Sequence, residues 1–180
     1  MRKNISDLKR MEKEMVDVID RKNRVIGKVT KREIRERILW HRASSVLVFS
    51  SKGEILVCKR ASTRYIDPGK YEMGAGGTVS SGEDVQETAR REMEEEVGIR
   101  NVKLKFLFRM PFDTPKNKHI DWVYSCVYDG KIRVDGTETE SYFFISIEKL
   151  LRMMKDDPEI FTEESFMLVR KYLKHSSKKR

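Results

Sequence analysis

Three carboxylates, Glu92, Glu95 and Glu96, stand close together in the run REMEEEVGI. At about 100° per residue they share one side of a helix. Carboxylates this close repel one another, so an unliganded cluster either destabilises its helix or takes up a proton. A hard divalent cation relieves the repulsion, because carboxylates, waters and phosphate oxygens are its ligands. Such a cation polarises a phosphoryl oxygen and acidifies a bound water. Just upstream, Gly74-Ala75-Gly76-Gly77 lets backbone come close to a ligand, and a carbonyl there is a further candidate ligand. The chemistry implied is hydrolysis of a phosphate anhydride. Taken alone, the glutamates also read as a solvated acidic face, and the glycines as a turn.

The helix that must hold these carboxylates is predicted to begin at Ser81-Gly82-Glu83 and to end at Gly98, a natural residue just past a helix end. Val85, Ala89, Met93 and Val97 repeat at i, i+4 and form the buried stripe. The three glutamates lie beside that stripe, at the border of core and cleft. Glu94 falls on the other flank, and Arg91 is placed to pair with Glu95 one turn on.

The rest of the chain alternates strands with a few helices. Residues 15–20 (MVDVID) alternate apolar and polar, and residues 25–29 follow a short turn, so the pair reads as a hairpin. Thr30 with Glu33 three residues later forms a capping-box pattern that opens a helix to about residue 38. Strands are predicted at 43–50, 54–58, 102–110, 120–128 and 142–147, with loops at 59–71 and 111–118. A helix from Ser146 to about 155 is broken by Pro158, and a last one runs over 162–173. This pattern is α/β, with a mixed sheet between helices. The expected organisation is an N-terminal extension, 1–40 (lead-in, hairpin and short helix), packed on a domain at 41–175, followed by a basic tail at 176–180.

Of the 180 residues, 38% are hydrophobic and 37% charged, with a net charge of +9. A basic surface favours anionic partners, but many of the cations lie near the termini and read as solvated runs, so nucleic acid is not the expected partner. Cys58 and Cys126 each sit in an apolar run without a neighbour at metal-site spacing, as reduced core thiols do. The N-terminus has no apolar signal region and no apolar run approaches a membrane span, so the expected location is the cytoplasm. The first 40 residues could pack against a second copy, giving a homodimer.

From Gly77 the spacing is glycine, five residues, Glu83, seven residues, Arg91-Glu92, an apolar residue, one residue, Glu95-Glu96, one residue, Gly98 and an apolar residue. Every fixed position resembles the Nudix box, and a chance match in a chain of ordinary composition is on the order of one in a million. The chain is therefore identified as resembling a Nudix hydrolase. The resemblance implies an α/β/α sandwich with a central mixed β-sheet, the box forming a loop–helix–loop. It implies a small-molecule substrate, a nucleoside diphosphate linked to another group, cleaved by water with Mg²⁺ or Mn²⁺. Carried over by position, Glu92, Glu95, Glu96 and the Gly76 carbonyl would hold the metal. Glu92 or Glu95 would be the general base, Arg91 would orient a glutamate, and Glu83 and Gly77 would support the site.

A second likeness is to the branch that includes isopentenyl-diphosphate isomerase and its hydrolase-like relatives. It rests on VDVIDRKNRVIGKVTKREI, HRASSVLVFSSKGEILVCKRAS and DPGKYEMGAGG. In that branch basic residues after the strand ending at Cys58 contact the diphosphate, which points to Arg60 and Arg64; solvated surface arginines are the competing reading. The isomerases need a Cys and a His where this chain has Gly76 and Thr78. Neither can transfer a proton to carbon or ligate through imidazole, so isomerase activity is disfavoured. A non-catalytic nucleotide-binding regulatory module is disfavoured by the intact glutamates, and removal of a 5′ pyrophosphate from RNA by the lack of an RNA-binding module. His41 and His119 read as structural residues, and Trp122, Tyr124 and Phe112 as core. Glu138 and Glu140 read as loop carboxylates that could add a ligand or a base. Specificity is left to the loops at 60–71 and 111–118.

Overall fold

Strand alternation decides the layering. In this computed structural model, which describes residues 11–64, 66–134 and 136–177, the hairpin strands β1 (Met15–Ile19) and β2 (Val25–Thr30) form a small sheet of their own. Helix α1 (Lys31–Glu36) follows, opened by the predicted capping box: Glu33 N–H donates to the Thr30 hydroxyl, and Thr30 N–H to the Glu33 carboxylate. The central strand β3 (His41–Phe49) sends Val46 and Val48 into one core and Leu47 into the other, all fully buried.

Around β3 the sheet is completed by β4 (Ile55–Arg60), β5 (Tyr71–Met73), β6 (Ala75–Thr78), β7 (Lys105–Asp113), β8 (Lys118–Val127) and β9 (Thr139–Ile145). The spatial order is β5-β4-β3-β8-β7, with β6 also pairing β3 and β9 pairing β4. The β3–β8 junction is parallel and the others antiparallel, so the seven-stranded sheet is mixed. Helix α2 (Val85–Val97) covers one face, with Ala89, Met93 and Val97 packed against Val46, Val48, Leu56 and Tyr124. Helices α3 (Ile147–Asp156) and α4 (Glu163–Ser177) cover the other, with Leu150, Met154, Leu168 and Val169 against Leu47, Val57, Phe108 and Val123. Each such Val, Leu, Met or Phe side chain contributes about 1.5–3 kcal/mol on burial. The result is the expected α/β/α sandwich. Cys58 and Cys126 are free and buried within it, and no helix among the described residues is long and apolar enough to cross a membrane.

Several boundaries differ from the sequence expectation. Helix α2 starts after Asp84, whose carboxylate accepts from the N–H groups of Gln86 and Glu87, and not at Ser81. Its other end is as expected, with Gly98 left-handed at φ 71°. The Gly-rich run before the box is not loop but β5 and β6, too short for alternation to announce them; neighbouring strands supply their partners. Strand β7 continues through Pro111 to Asp113, where a loop was expected. It is the outer strand in the sheet order, where a missing N–H is tolerated. Helix α4 runs past 173 into the segment expected as tail, to Ser177. Residues 178–180 of that tail and 1–10 of the lead-in lie outside the described residues.

Candidate active site

The β1–β2 hairpin is tied to the loop that precedes α2. Ser81 N–H donates to the Met15 carbonyl at 2.8 Å, and its hydroxyl to Asp17 at 2.6 Å. That loop delivers Glu83, anchored by Ser80 N–H at 3.3 Å. Arg91 then grips Glu83 with two bonds, Nε at 2.9 Å and Nη2 at 3.2 Å. Its third nitrogen donates to Glu92 at 2.8 Å and to Glu95 at 3.3 Å. One guanidinium thus sets three carboxylates. Burial opposes the charge on Arg91, but Glu83, Glu92 and Glu95 outweigh it and hold the group firmly protonated.

Helical phase separates the glutamates further than the sequence reading did. Glu92 and Glu96, one turn apart, are buried at 4% and 5% exposure, whereas the Glu95 side chain is 39% exposed. Glu94 points away and pairs with Arg100 at 2.7 Å. The acid that joins the buried pair comes from elsewhere in the chain. Glu138, just ahead of β9, brings a carboxylate oxygen to within 4.8 Å of those of Glu92 and Glu96. Glu95 stands outside this close group and shares Arg91 instead. Burial raises the pKa of Glu92; burial, then Glu92, Glu72 and Glu138, drive that of Glu96 well up.

The strand β6 forms the opposite wall. Gly76 N–H donates to Glu96 at 3.0 Å, and Gly77 lies so close to Glu92 that a β-carbon would sit 2.4 Å from Oε1. Three mutually repelling, largely buried oxygen donors against a close backbone wall match the donor chemistry of a hard divalent cation. The residues present therefore fit such an ion.

A cavity of about 200 Å³ opens from this cluster. Gly76, Arg60 and Arg64, the candidate ligand and phosphate-binding groups of the sequence reading, all line it. Both arginines are paired: Arg60 with Glu72 at 2.6 Å, and Arg64 with Glu138 at 2.6 Å. They are thus counter-ions of the acidic cluster and its neighbour, not solvated surface charges. Among the cavity's other lining residues are Arg35 and Asp121, which sequence reasoning did not single out, and His119, which it read as structural. A signal for the last two was present. In HIDWVYSCV they are polar residues in phase with the buried Val123 of an otherwise apolar strand.

Residues 39–164 match the family model of the NUDIX domain. The chain belongs to the Nudix family. It is 34% identical over 160 residues to the uncharacterised Nudix hydrolase PA4841 of Pseudomonas aeruginosa, covering 89% of this chain and 94% of that one. It is 29% identical over 165 residues to the uncharacterised Nudix hydrolase YfcD of Escherichia coli, covering 92% and 89% respectively. The fold is shared with the crystal structure of DR0079 from Deinococcus radiodurans, at a TM-score of 0.76 and 21% identity, over 88% of this chain and 98% of that one. This Nudix hydrolase belongs to a family of metal-dependent pyrophosphohydrolases, and its carboxylate cluster lies where the box and the sheet meet.

Proposed function

We propose that this Nudix hydrolase cleaves the diphosphate linkage of a nucleoside diphosphate derivative or a similar small molecule, with Mg²⁺ as cofactor and Mn²⁺ able to replace it. The observation that carries the reading is the close cluster Glu92–Glu96–Glu138, of which Glu92 and Glu138 line a cavity that Arg60 and Arg64 also line.

Glu92, Glu96 and Glu138 would hold the cation, with Glu95 and the Gly76 carbonyl as the further candidates the box implies. When bound, the cation supplies positive charge to the phosphoryl oxygens and lowers the pKa of water. Arg91 fixes the Glu92 rotamer, and Glu83 fixes Arg91. Glu92 lines the cavity and Glu95 does not, which favours Glu92 over Glu95 as the base that takes the proton of the attacking water. Arg60 and Arg64 exchange their carboxylate partners for substrate phosphate oxygens, a bidentate match for a guanidinium.

A screen that reads release of both inorganic phosphate and monophosphate products, the latter by chromatography, tests this over nucleotides, nucleotide sugars, dinucleoside polyphosphates, CoA and prenyl diphosphates, with Mg²⁺, Mn²⁺ or EDTA. Turnover of at least one diphosphate that EDTA abolishes is expected. Absence of release from all classes with either metal rules the proposal out.

A further inference from the structure

The part of the cavity lined by β8 is built like a recognition site. Asp121 and His119 are 2% and 4% exposed, and both line the cavity. Asp121 Oδ2 accepts from the Ser45 hydroxyl at 2.8 Å, but Oδ1 has no hydrogen-bond partner among the described residues. His119 Nδ1 likewise has none, with Glu164 Oε1 standing 3.9 Å away. A buried polar atom left unpaired costs about 1–3 kcal/mol, so two of them side by side on one strand face are a liability unless something entering the cavity pairs with them.

The surroundings narrow what that something is. His119 and Asp121 are two residues apart on β8, hence on the same face. Phe112 stacks on the His119 ring, centroids 4.6 Å apart and planes 23° from parallel, which fixes the plane of the imidazole. Met73 and Leu168 add apolar wall. Burial holds His119 neutral, and it raises Asp121 far enough to keep much of it protonated near neutrality. The pair therefore offers uncharged donors and acceptors within an apolar frame, the usual arrangement for a flat ligand oriented by a few polar groups. Arg35 also lines the cavity and carries fixed positive charge, with one nitrogen donating to the Thr78 hydroxyl at 3.2 Å.

The two ends of the cavity are connected. Glu96 accepts from Gly76 N–H; Gly76 packs on Ser45, with its β-carbon position 2.8 Å from the Ser45 hydroxyl; and Ser45 donates to Asp121. β3 and β6 thus hold both ends in one frame, in the register Ser45↔Gly76.

We propose that His119 and Asp121 are specificity-determining residues that read the hydrogen-bonding edge of a nucleobase whose diphosphate lies at the carboxylate cluster. This rests on the pyrophosphohydrolase reading for the placement of the diphosphate.

The test is calorimetry with Mg²⁺ and non-hydrolysable α,β-methylene diphosphates of adenosine, guanosine, cytidine and uridine, beside methylenediphosphonate, which has no base. The wild type is expected to bind its preferred analogue at least tenfold more tightly than methylenediphosphonate and at least tenfold more tightly than the least favoured base. Asp121→Ala and His119→Gln should erase both advantages while leaving methylenediphosphonate affinity within twofold. Equal affinity for all four bases, no advantage over the base-free probe, or variants that weaken every probe alike would overturn the proposal. Should Asp121→Ala not fold, as judged by its thermal melt, Ser45→Ala is the second variant. It leaves Asp121 in place with both oxygens unheld and should reorder the four affinities; an unchanged order counts against the subsite. Selective binding by a wild type that hydrolyses no diphosphate would sink the proposed function and leave the subsite standing.

Discussion

The Glu92 carboxylate rests directly on the backbone of Gly77: a β-carbon there would lie 2.4 Å from Oε1 and 2.5 Å from the carboxyl carbon. The box glycine is therefore needed for space. Gly77→Ala would push Glu92 off its Arg91 contact or shift β6. The expected result is a drop of about 100-fold in kcat/KM, with weakened Mg²⁺ binding by calorimetry. Activity within threefold of wild type would show that Glu92 can move without cost.

The acidic cluster makes stability and activity pull in opposite directions. Glu96→Gln and Glu138→Gln both remove like charge from the close group; without metal Glu96→Gln should melt at or above the wild-type temperature, whereas Glu138→Gln also loses its ion pair with Arg64 and should melt lower than Glu96→Gln. The same variants should lose roughly 100-fold or more in turnover and lose the stabilisation that wild type gains from Mg²⁺, about 2.7 kcal/mol at 100 times its Kd. Glu94→Gln, on the far flank, should behave as wild type in both assays. Glu95→Gln compared with Glu138→Gln, in the same phosphate-release assay, decides how the third carboxylate role is divided.

Arg91 matters for its shape as much as its charge. Lysine keeps the charge but cannot hold Glu83 with two parallel bonds while also reaching Glu92 and Glu95. Arg91→Lys is expected to cost about 10–100-fold in kcat with little change in far-ultraviolet circular dichroism. Glu83→Gln should produce a similar, smaller loss.

Arg64 is held by Glu138 at 2.6 Å. If it passes from that carboxylate to a substrate phosphate, Arg64→Ala should raise KM about tenfold while kcat changes less. A loss confined to kcat, read from steady-state kinetics, would instead make the arginine a support for Glu138.

Burial of His119 predicts acid sensitivity. Its pKa falls from 6.5 to about 3 in the fold. Above about pH 6.5 the ring is neutral both folded and unfolded, and its full contribution to stability is present. As pH falls from there towards 3, the unfolded chain binds a proton that the native state refuses, so stability drops by up to about 1.4 kcal/mol per unit. His41, lowered chiefly by burial and then by Arg35, adds in the same direction. Asp121 opposes them: burial raises it from 3.8 to about 7, so between those values its contribution falls as pH rises. Urea melts of His119→Gln between pH 4 and 7 should show a flatter loss on acidification than wild type. An identical slope would mean the histidine is not shielded in solution.

Much of this protein was legible before any tertiary contact was known. The box spacing, the buried stripe of α2, the outward phase of Glu94, the Thr30–Glu33 cap and the stop at Gly98 all follow from a fixed 3.6-residue period and from local backbone preferences. A period needs no partner to be read. Strands β5 and β6 escaped because three or four residues, two of them glycine in β6, carry no alternation, and their hydrogen bonds come from β4 and β3. Pro111 misled for a related reason, since only the sheet order shows that β7 is an outer strand.

The candidate site divides along the same line. Sequence alone determined the candidate carboxylates of the box helix, because Glu92, Glu95 and Glu96 and their spacing are a property of one helix. It anticipated the Arg91–Glu95 contact, one turn of the same helix, but could not decide that Glu138, 42 positions beyond Glu96, would complete the close group. Nor could it set Asp121 against Ser45, 76 residues apart, in the lining of the same cavity. Those pairings are fixed by the register of β4 with β9 and of β3 with β6 and β8. Register is set by burying the apolar faces of the whole sheet at once, and no local stretch of sequence contains that information.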